Sequence, residues 1–228
     1  MKPRILALGD CNTKGEGPCL YNSYPEAFAR SKGFEVINLG HTMASTREAV
    51  RIFDDNAHTD AEFITVQFGL VDAWRTIAHA PYVLYYPDNK WRYIGRKLAK
   101  KYKKISKKLS LAKWMGEDHL VSKAEYRANL EHIIHNARGR PVVLLETAPN
   151  RELHRNPHIQ AYNTVLADLA AEHESVYLLP LYDAFKEHLD DWLQDDGTHL
   201  NAQGYAFVSQ QLERIYDLQI RPQGSPVE

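Results

Sequence analysis

Five short apolar runs punctuate the chain: RILALG (4–9), FEVINLG (34–40), EFITVQFG (62–69), PVVLLETAP (141–149) and SVYLLPL (175–181). Each is rich in Val, Ile and Leu and is bounded by Gly, Pro or Asn. Near-continuous apolar character over so short a run is the pattern of a strand buried on both faces of a parallel sheet. Between the runs lie segments of helical period: YPEAFARSK, STREAVRIFDDNA, SKAEYRANLEHIIHNAR, NPHIQAYNTVLADLAAEH and NAQGYAFVSQQLERIYDL. Ser45 and Glu48 have the spacing of a capping box, and Leu130, Ile133 and Ile134 share one helical face. Strand alternating with helix predicts a three-layer α/β/α domain on a five-stranded parallel sheet. Ligands of such sheets sit at the carboxyl ends of the strands, so the first strand aims Cys11 at the site.

One segment departs from this pattern. WRYIGRKLAKKYKKISKKL places Ile94, Leu98, Ile105 and Leu109 four, seven and four apart, which predicts an apolar stripe under a cationic face. Between Lys90 and Lys113 there are eleven Lys or Arg and no Asp or Glu, although the whole chain carries a net charge of only -1. Residues 76–120 read as an insertion over the site, within one domain spanning 1–220, and 221–228 as a loose tail. The stretch is either a solvated face or a surface for an acyl-donor phosphate, an anionic glycan, a glycolipid or an anionic membrane. No motif points to nucleic acid. Tyr82, Tyr85, Tyr86, Trp91 and Tyr93 either stack on sugar rings or pin the insertion to the core.

Composition narrows the class. With 228 residues, 44% hydrophobic and 25% charged, the chain is long enough for one sizeable core. The first apolar run is too short for a signal peptide, and there is no 18-residue apolar window. Two cysteines, Cys11 and Cys19, make no disulfide framework, so a cytoplasmic address is expected and Cys19 reads as structural.

Three sites carry candidate chemistry: LGDCNTKGEG at the end of the first strand, DDGTHLNAQGY at 195–205, and the strand-end loops NLGHTMAST and FGLVDAWR. Nucleophilic catalysis needs a nucleophile, a base, a group that orients the base, and donors for an oxyanion. Cys11 is a strong nucleophile whose thiol pKa a neighbouring imidazole would lower. His199 can be the base, with Asp196 as its orienter and Asp195 as the competing one. Backbone N–H groups at Cys11 and in the GHTMAS loop can face a carbonyl oxygen. Asp10, His41, Asp72 and Arg75 are candidate substrate contacts. His132 and His135 stand at i, i+3 without a convincing third ligand, so no metal is implied, and His154 and His158 read as loop residues.

These blocks resemble the SGNH (GDSL-type) hydrolases, esterases and acyltransferases of flavodoxin-like fold. The family's G-D-S-x-x-x-G is matched by Gly9, Asp10, Cys11 and Gly15, its N-L-G-x-S-G-x-T by NLGHTMAS, and its D-G-x-H-x-N by Asp196, Gly197, His199 and Asn201. The resemblance covers roughly residues 4–75 and 122–215. It implies a Cys11–His199–Asp196 triad with an oxyanion hole from the amides of Cys11 and Met43, the latter at the family's glycine. Asp10, in this light, mostly braces loops. The third block, G-x-N-D, appears as Gly69-Leu70-Val71-Asp72, so its amide donor is absent, and Arg75 is a candidate replacement. The cysteine and the basic insertion look like members from bacterial polysaccharide-biosynthesis loci. The implied activity is esterase or O-acyl transfer on an acylated carbohydrate or glycolipid. No cofactor is required, and acyl-coenzyme A is a compatible donor. The rival reading is a catalytically dead module that binds an anionic glycan or a membrane.

Overall fold

The computed structural model describes residues 2–109 and 112–224. Its strands are β1 (Arg4–Gly9), β2 (Glu35–Gly40), β3 (Phe63–Gln67), β4 (Arg75–Ile77), β5 (Glu117–His119), β6 (Val142–Leu145) and β7 (Val176–Leu179). The helices are α1 (Cys11–Lys14), α2 (Tyr24–Lys32), α3 (Thr46–Asn56), α4 (Lys90–Lys108) and α5 (Ala112–Met115). They continue with α6 (Lys123–Asn136), α7 (Asn156–Glu172), α8 (Tyr182–Glu187), α9 (Leu189–Trp192), α10 (Ala202–Ile215) and α11 (Arg221–Gly224).

The apolar runs become strands because alternate residues meet a different helical layer. Five strands form one parallel sheet in the order β2-β1-β3-β6-β7. Counted among the sheet's own strands this is 2-1-3-4-5, the flavodoxin-like order, whose switch point lies beside β1. Leu6, Leu8, Ile64, Val66 and Leu144 pack with Phe53 of α3, Leu130 of α6 and Leu166 of α7. Their sequence neighbours Ile5, Phe63, Val143 and Leu145 pack with Phe28 of α2 and Val208 of α10 on the opposite face. β2, at one edge of the sheet, is only half-buried, whereas β7, at the other edge, is largely buried.

Local signals set the helix starts. Ser45 and Glu48 form the expected capping box on α3, and Ser23 and Glu26 form a second on α2. Glu48 does more than cap. One carboxylate oxygen serves Ser45, and the other accepts from Tyr82 Oη at 2.7 Å and the Tyr85 amide at 2.8 Å. The insertion is thereby pinned to the body at a buried carboxylate.

The insertion leaves and rejoins the body through the antiparallel pair β4–β5, with Arg75 opposite His119. Arg92 and Arg96 of α4 reach back to the carbonyls of Tyr86 and Leu84. Tyr82 and Tyr85 therefore pin the insertion, as one of the two expectations had it, whereas Trp91 and Tyr93 stay exposed. The apolar stripe of α4 does not face the body: Ile94, Leu98, Ile105 and Leu109 are all exposed. The expected loose tail is helical through Gly224, and 225–228 lie outside the described residues.

Candidate active site

The sharp turn after β1 delivers Cys11. Gly9 is required there, since a Cβ would sit 1.9 Å from Thr13 Oγ1 and 3.0 Å from the Gln67 carbonyl. Asp10 is the N-cap of α1, and its carboxylate accepts from the Asn12 amide at 2.8 Å. Burial lifts the Asp10 pKa to about 6, against the opposing pull of the Asn12 amide and the charge of His199. Its buried carboxyl is committed to the turn, so Asp10 is a brace and not the substrate contact it was also taken to be.

Cys11 opens α1 with its side chain buried against Leu70, Ile159 and Tyr182. Burial pushes its thiol pKa up, and the charges of Asp10 and Glu16 add to this. The amides of Cys11 and Asn12 pull only weakly the other way. This corrects the expectation of a thiol lowered by its imidazole neighbour: the resting group is a neutral thiol. A neutral thiol must be deprotonated as it attacks, which places the demand on a general base.

The His199–Asp196 pair is organised independently of the thiol. His199 Nδ1 lies 2.5 Å from Asp196 Oδ2, while Asp196 Oδ1 accepts from the amides of Thr198 and His199. Burial works to raise the Asp196 pKa, but the His199 ring and these amides outweigh it and hold the carboxyl low. An ionised carboxylate can only accept, so the ring nitrogen facing it, Nδ1, carries a proton. Asp195 is not the orienter; its carbonyl accepts from Arg151. Gly197 makes the tight turn possible at φ +67, where a Cβ would meet Arg151 at 2.7 Å.

Sequence reasoning missed the residue that ties the two halves together. Asn12 Oδ1 accepts from the Leu200 amide at 3.0 Å, linking the neighbours of Cys11 and His199 directly. Among the described residues, no hydrogen bond joins the Cys11 thiol itself to His199.

The oxyanion expectation concerns the backbone amides of Cys11 and Met43. Met43 sits at φ +66, the left-handed conformation that favours glycine. Among the described residues, neither the Met43 amide nor the Cys11 amide donates to a protein acceptor. Both remain available to a ligand.

The third block contributes no side-chain donor. Leu70 and Val71 are buried, and Leu70 packs on Cys11. Arg75 does not replace the missing amide: it begins β4 and its guanidinium turns to Glu117 at 3.3 Å. Asp72 is fully buried and accepts from the Thr46 amide at 2.8 Å and the Thr46 hydroxyl at 2.6 Å. It secures the start of α3 and is not a substrate contact. His41 is half-buried beside Tyr86, with Nδ1 directed at the Thr42 carbonyl.

A cavity of about 290 Å³ opens between the body and the insertion. Met43, Trp74 and Arg75 line it from the body, and Tyr85, Arg96 and Lys103 from the insertion. No acidic side chain lines it, and burial lowers the Lys103 pKa. The Trp74 indole N–H is buried without a hydrogen-bond partner among the described residues, another group that sequence reasoning did not single out. His132 pairs with Asp54 and His135 packs on His173, so the i, i+3 pair does not converge. His158 lies on α7, not in a loop, 2.9 Å from His119.

The five-stranded parallel sheet carries the Cys11 turn after β1 and the D-G-x-H loop before the last long helix. Residues 7–207 match the sequence profile of the GDSL-like lipase/acylhydrolase family, and the chain belongs to that family of hydrolases. Among solved structures it is similar to a lipase/acylhydrolase from Enterococcus faecalis, with TM-score 0.68 and 18% identity over 98% of this chain and 100% of that one. It is similar also to a G-D-S-L lipolytic family member from Veillonella parvula, with TM-score 0.63 and 14% identity over 94% and 98%. A third is an acetylxylan esterase from Geobacillus stearothermophilus, with TM-score 0.60 and 16% identity over 93% of each chain. No curated protein matches the chain.

Two buried carboxyls give the fold a pH dependence. Burial raises Asp72 to about 7 and Asp10 to about 6, both above the ordinary 3.8. A raised folded-state pKa means the folded chain holds the proton more tightly. This stability is fully present below about pH 4 and is lost as pH rises through 6 and 7. Relative to Asp72→Asn, the native chain is expected to lose on the order of 2–4 kcal/mol of unfolding free energy between pH 5 and 8. Urea melts at a series of pH values check this, and parallel profiles would contradict it.

Proposed function

We propose that this hydrolase acts through a Cys11–His199–Asp196 triad on the O-acyl group of an acylated carbohydrate or glycolipid, as an esterase or acyltransferase. The observation that carries the reading is the ionised Asp196 oriented on His199 in a loop that Asn12 fastens to the Cys11 turn.

In the proposed cycle His199 Nε2 takes the Cys11 proton as sulfur bonds to the acyl carbon, and the carbonyl electrons move onto its oxygen. The free amides of Cys11 and Met43 receive that oxyanion. Collapse breaks the ester bond, and His199 returns the proton to the departing alkoxide, leaving a thioester on Cys11. His199 then deprotonates water or an acceptor hydroxyl, which attacks the thioester and regenerates the thiol. A thioester is more activated toward a hydroxyl than an oxygen ester is, so sulfur suits transfer. Acyl-coenzyme A is a compatible donor because its acyl group is already a thioester. A role in capsule or polysaccharide synthesis fits this chemistry.

Two observations support this reading. The acetylxylan esterase is represented by catalytic mutants of a serine, an aspartate and a histidine, the last two spaced like Asp196 and His199. The cavity combines aromatic Trp74 and Tyr85 with Arg75, Arg96 and Lys103, a lining suited to a sugar that carries negative charge.

The expected result is acetate release, or acetyl transfer, from O-acetylated oligosaccharides. Lys103→Gln is expected to raise KM about tenfold for an anionic substrate while leaving a neutral one nearly unchanged. Steady-state kinetics on an anionic and neutral pair check this, and inertness toward all such esters would overturn the enzymatic reading. The buried Val71 and the raised thiol favour one alternative, a non-catalytic glycan-binding module, which would bind the same oligosaccharides without turnover.

A further inference from the structure

Helix α4 is mounted with its apolar side unused. It is about 28 Å long, from nineteen residues at 1.5 Å each. The face turned to the insertion's own 83–87 segment carries Arg92 and Arg96, bonded to its carbonyls, and Gly95, close to Val83, and the buried Ser106 lies further along the helix. Roughly a third of a turn round the helix lie Trp91, Ile94, Leu98, Tyr102, Ile105 and Leu109, spaced three or four apart. Every one of them is exposed, Trp91 to 83% and Leu98 to 63%. Just beyond the helix, Trp114 is 88% exposed.

An apolar face left bare at this scale costs solubility and calls for a cover. The charge pattern selects it. Lysines 97, 101, 104 and 108 occupy the side beyond the stripe, and the stretch from Lys90 to Lys113 holds no acid. A second copy packed stripe to stripe would set these lysines against each other. An anionic bilayer gives them counter-charges, accepts the Leu and Ile side chains, and seats tryptophans at its boundary. The helix is far too charged to cross the bilayer, and no described helix qualifies as a span.

We infer that α4 is an interfacial docking helix, which lies in the plane of an anionic membrane with Trp91, Leu98 and Ile105 inserted and flanking lysines on the headgroups. The same helix walls the cavity beside Met43 through Arg96 and Lys103, so docking holds that cavity near the lipid surface. The inference stands on the exposed stripe and its charge, independently of the triad.

The test is co-sedimentation of the full chain with phosphatidylcholine vesicles, with and without phosphatidylglycerol. The expected result is binding at least about tenfold tighter to the anionic vesicles, weakening with salt. Leu98→Glu/Ile105→Glu and Lys101→Glu/Lys104→Glu should each reduce it at least about tenfold. Both pairs are exposed, and turnover of a soluble acetyl ester and the melting temperature should stay unchanged. Failure of the native chain to bind anionic vesicles overturns the inference, as does undiminished binding by the Leu98/Ile105 variant. A native dimer that Leu98→Glu/Ile105→Glu makes monomeric would also overturn it, by showing that the stripe is a self-interface.

Discussion

Cys11→Ala is expected to lower kcat/KM for an acetyl ester at least about 10³-fold, with little change in melting temperature. The effect is large because no neighbouring group can substitute: Leu70, Ile159 and Tyr182 surround the thiol. The structural cost is small because the variant removes a single sulfur atom from a small cluster with Leu70, Ile159 and Tyr182. Cys11→Ser is the sharper companion. It restores the family's oxygen nucleophile in front of the same His199 and Asp196, so hydrolysis should survive. Transfer to a hydroxyl acceptor should fall relative to hydrolysis, since the intermediate becomes an oxygen ester. A Cys11→Ala variant with native turnover would leave the thiol without a chemical role.

His199→Ala carries the second large effect, a loss of about 10³-fold or more in kcat. The reasoning rests on the neutral resting thiol. Burial and Asp10 raise its pKa, so no thiolate stands ready and proton removal must accompany attack. A preformed thiolate would tolerate loss of the base far better. Asp196→Asn should approach the same loss, because an amide no longer fixes the proton on Nδ1 and Nε2 is no longer held as acceptor. The double variant Cys11→Ala/His199→Ala should be no worse than either single one, since the groups act as a unit. Steady-state kinetics on all four variants check this, and additive losses would contradict a shared step.

The fold was legible because its signals are local and agree with one another. The β1, β3 and β6 runs are apolar on both faces, and the helices announce themselves by period and, at Ser45, by a capping box. The D-G-x-H pair was legible for the same reason: three residues of one turn bring Asp196 onto His199. Contacts made across the sheet were not. Asn12 meets Leu200 from 188 positions away, and the Glu48 carboxylate reaches Tyr82 only once the insertion has folded back. Asp72 looked like a site residue because it follows a strand end, yet Thr46 draws it inward. The α4 stripe showed the limit of periodicity, which marks an apolar face without saying what it meets. Arg92 and Arg96 turned a different face to the 84–88 segment of the insertion.

The central claim, a thiol nucleophile served by His199, is tested most directly by trapping the acyl-enzyme. The protein is incubated with acetyl-coenzyme A or an activated acetyl ester, quenched in acid, and read by intact mass and peptide mapping. The account predicts one acetyl group on the peptide containing Cys11, released by neutral hydroxylamine as a thioester is, and absent from Cys11→Ala. Unchanged labelling in Cys11→Ala, or acetyl mapped to any other residue, would contradict it.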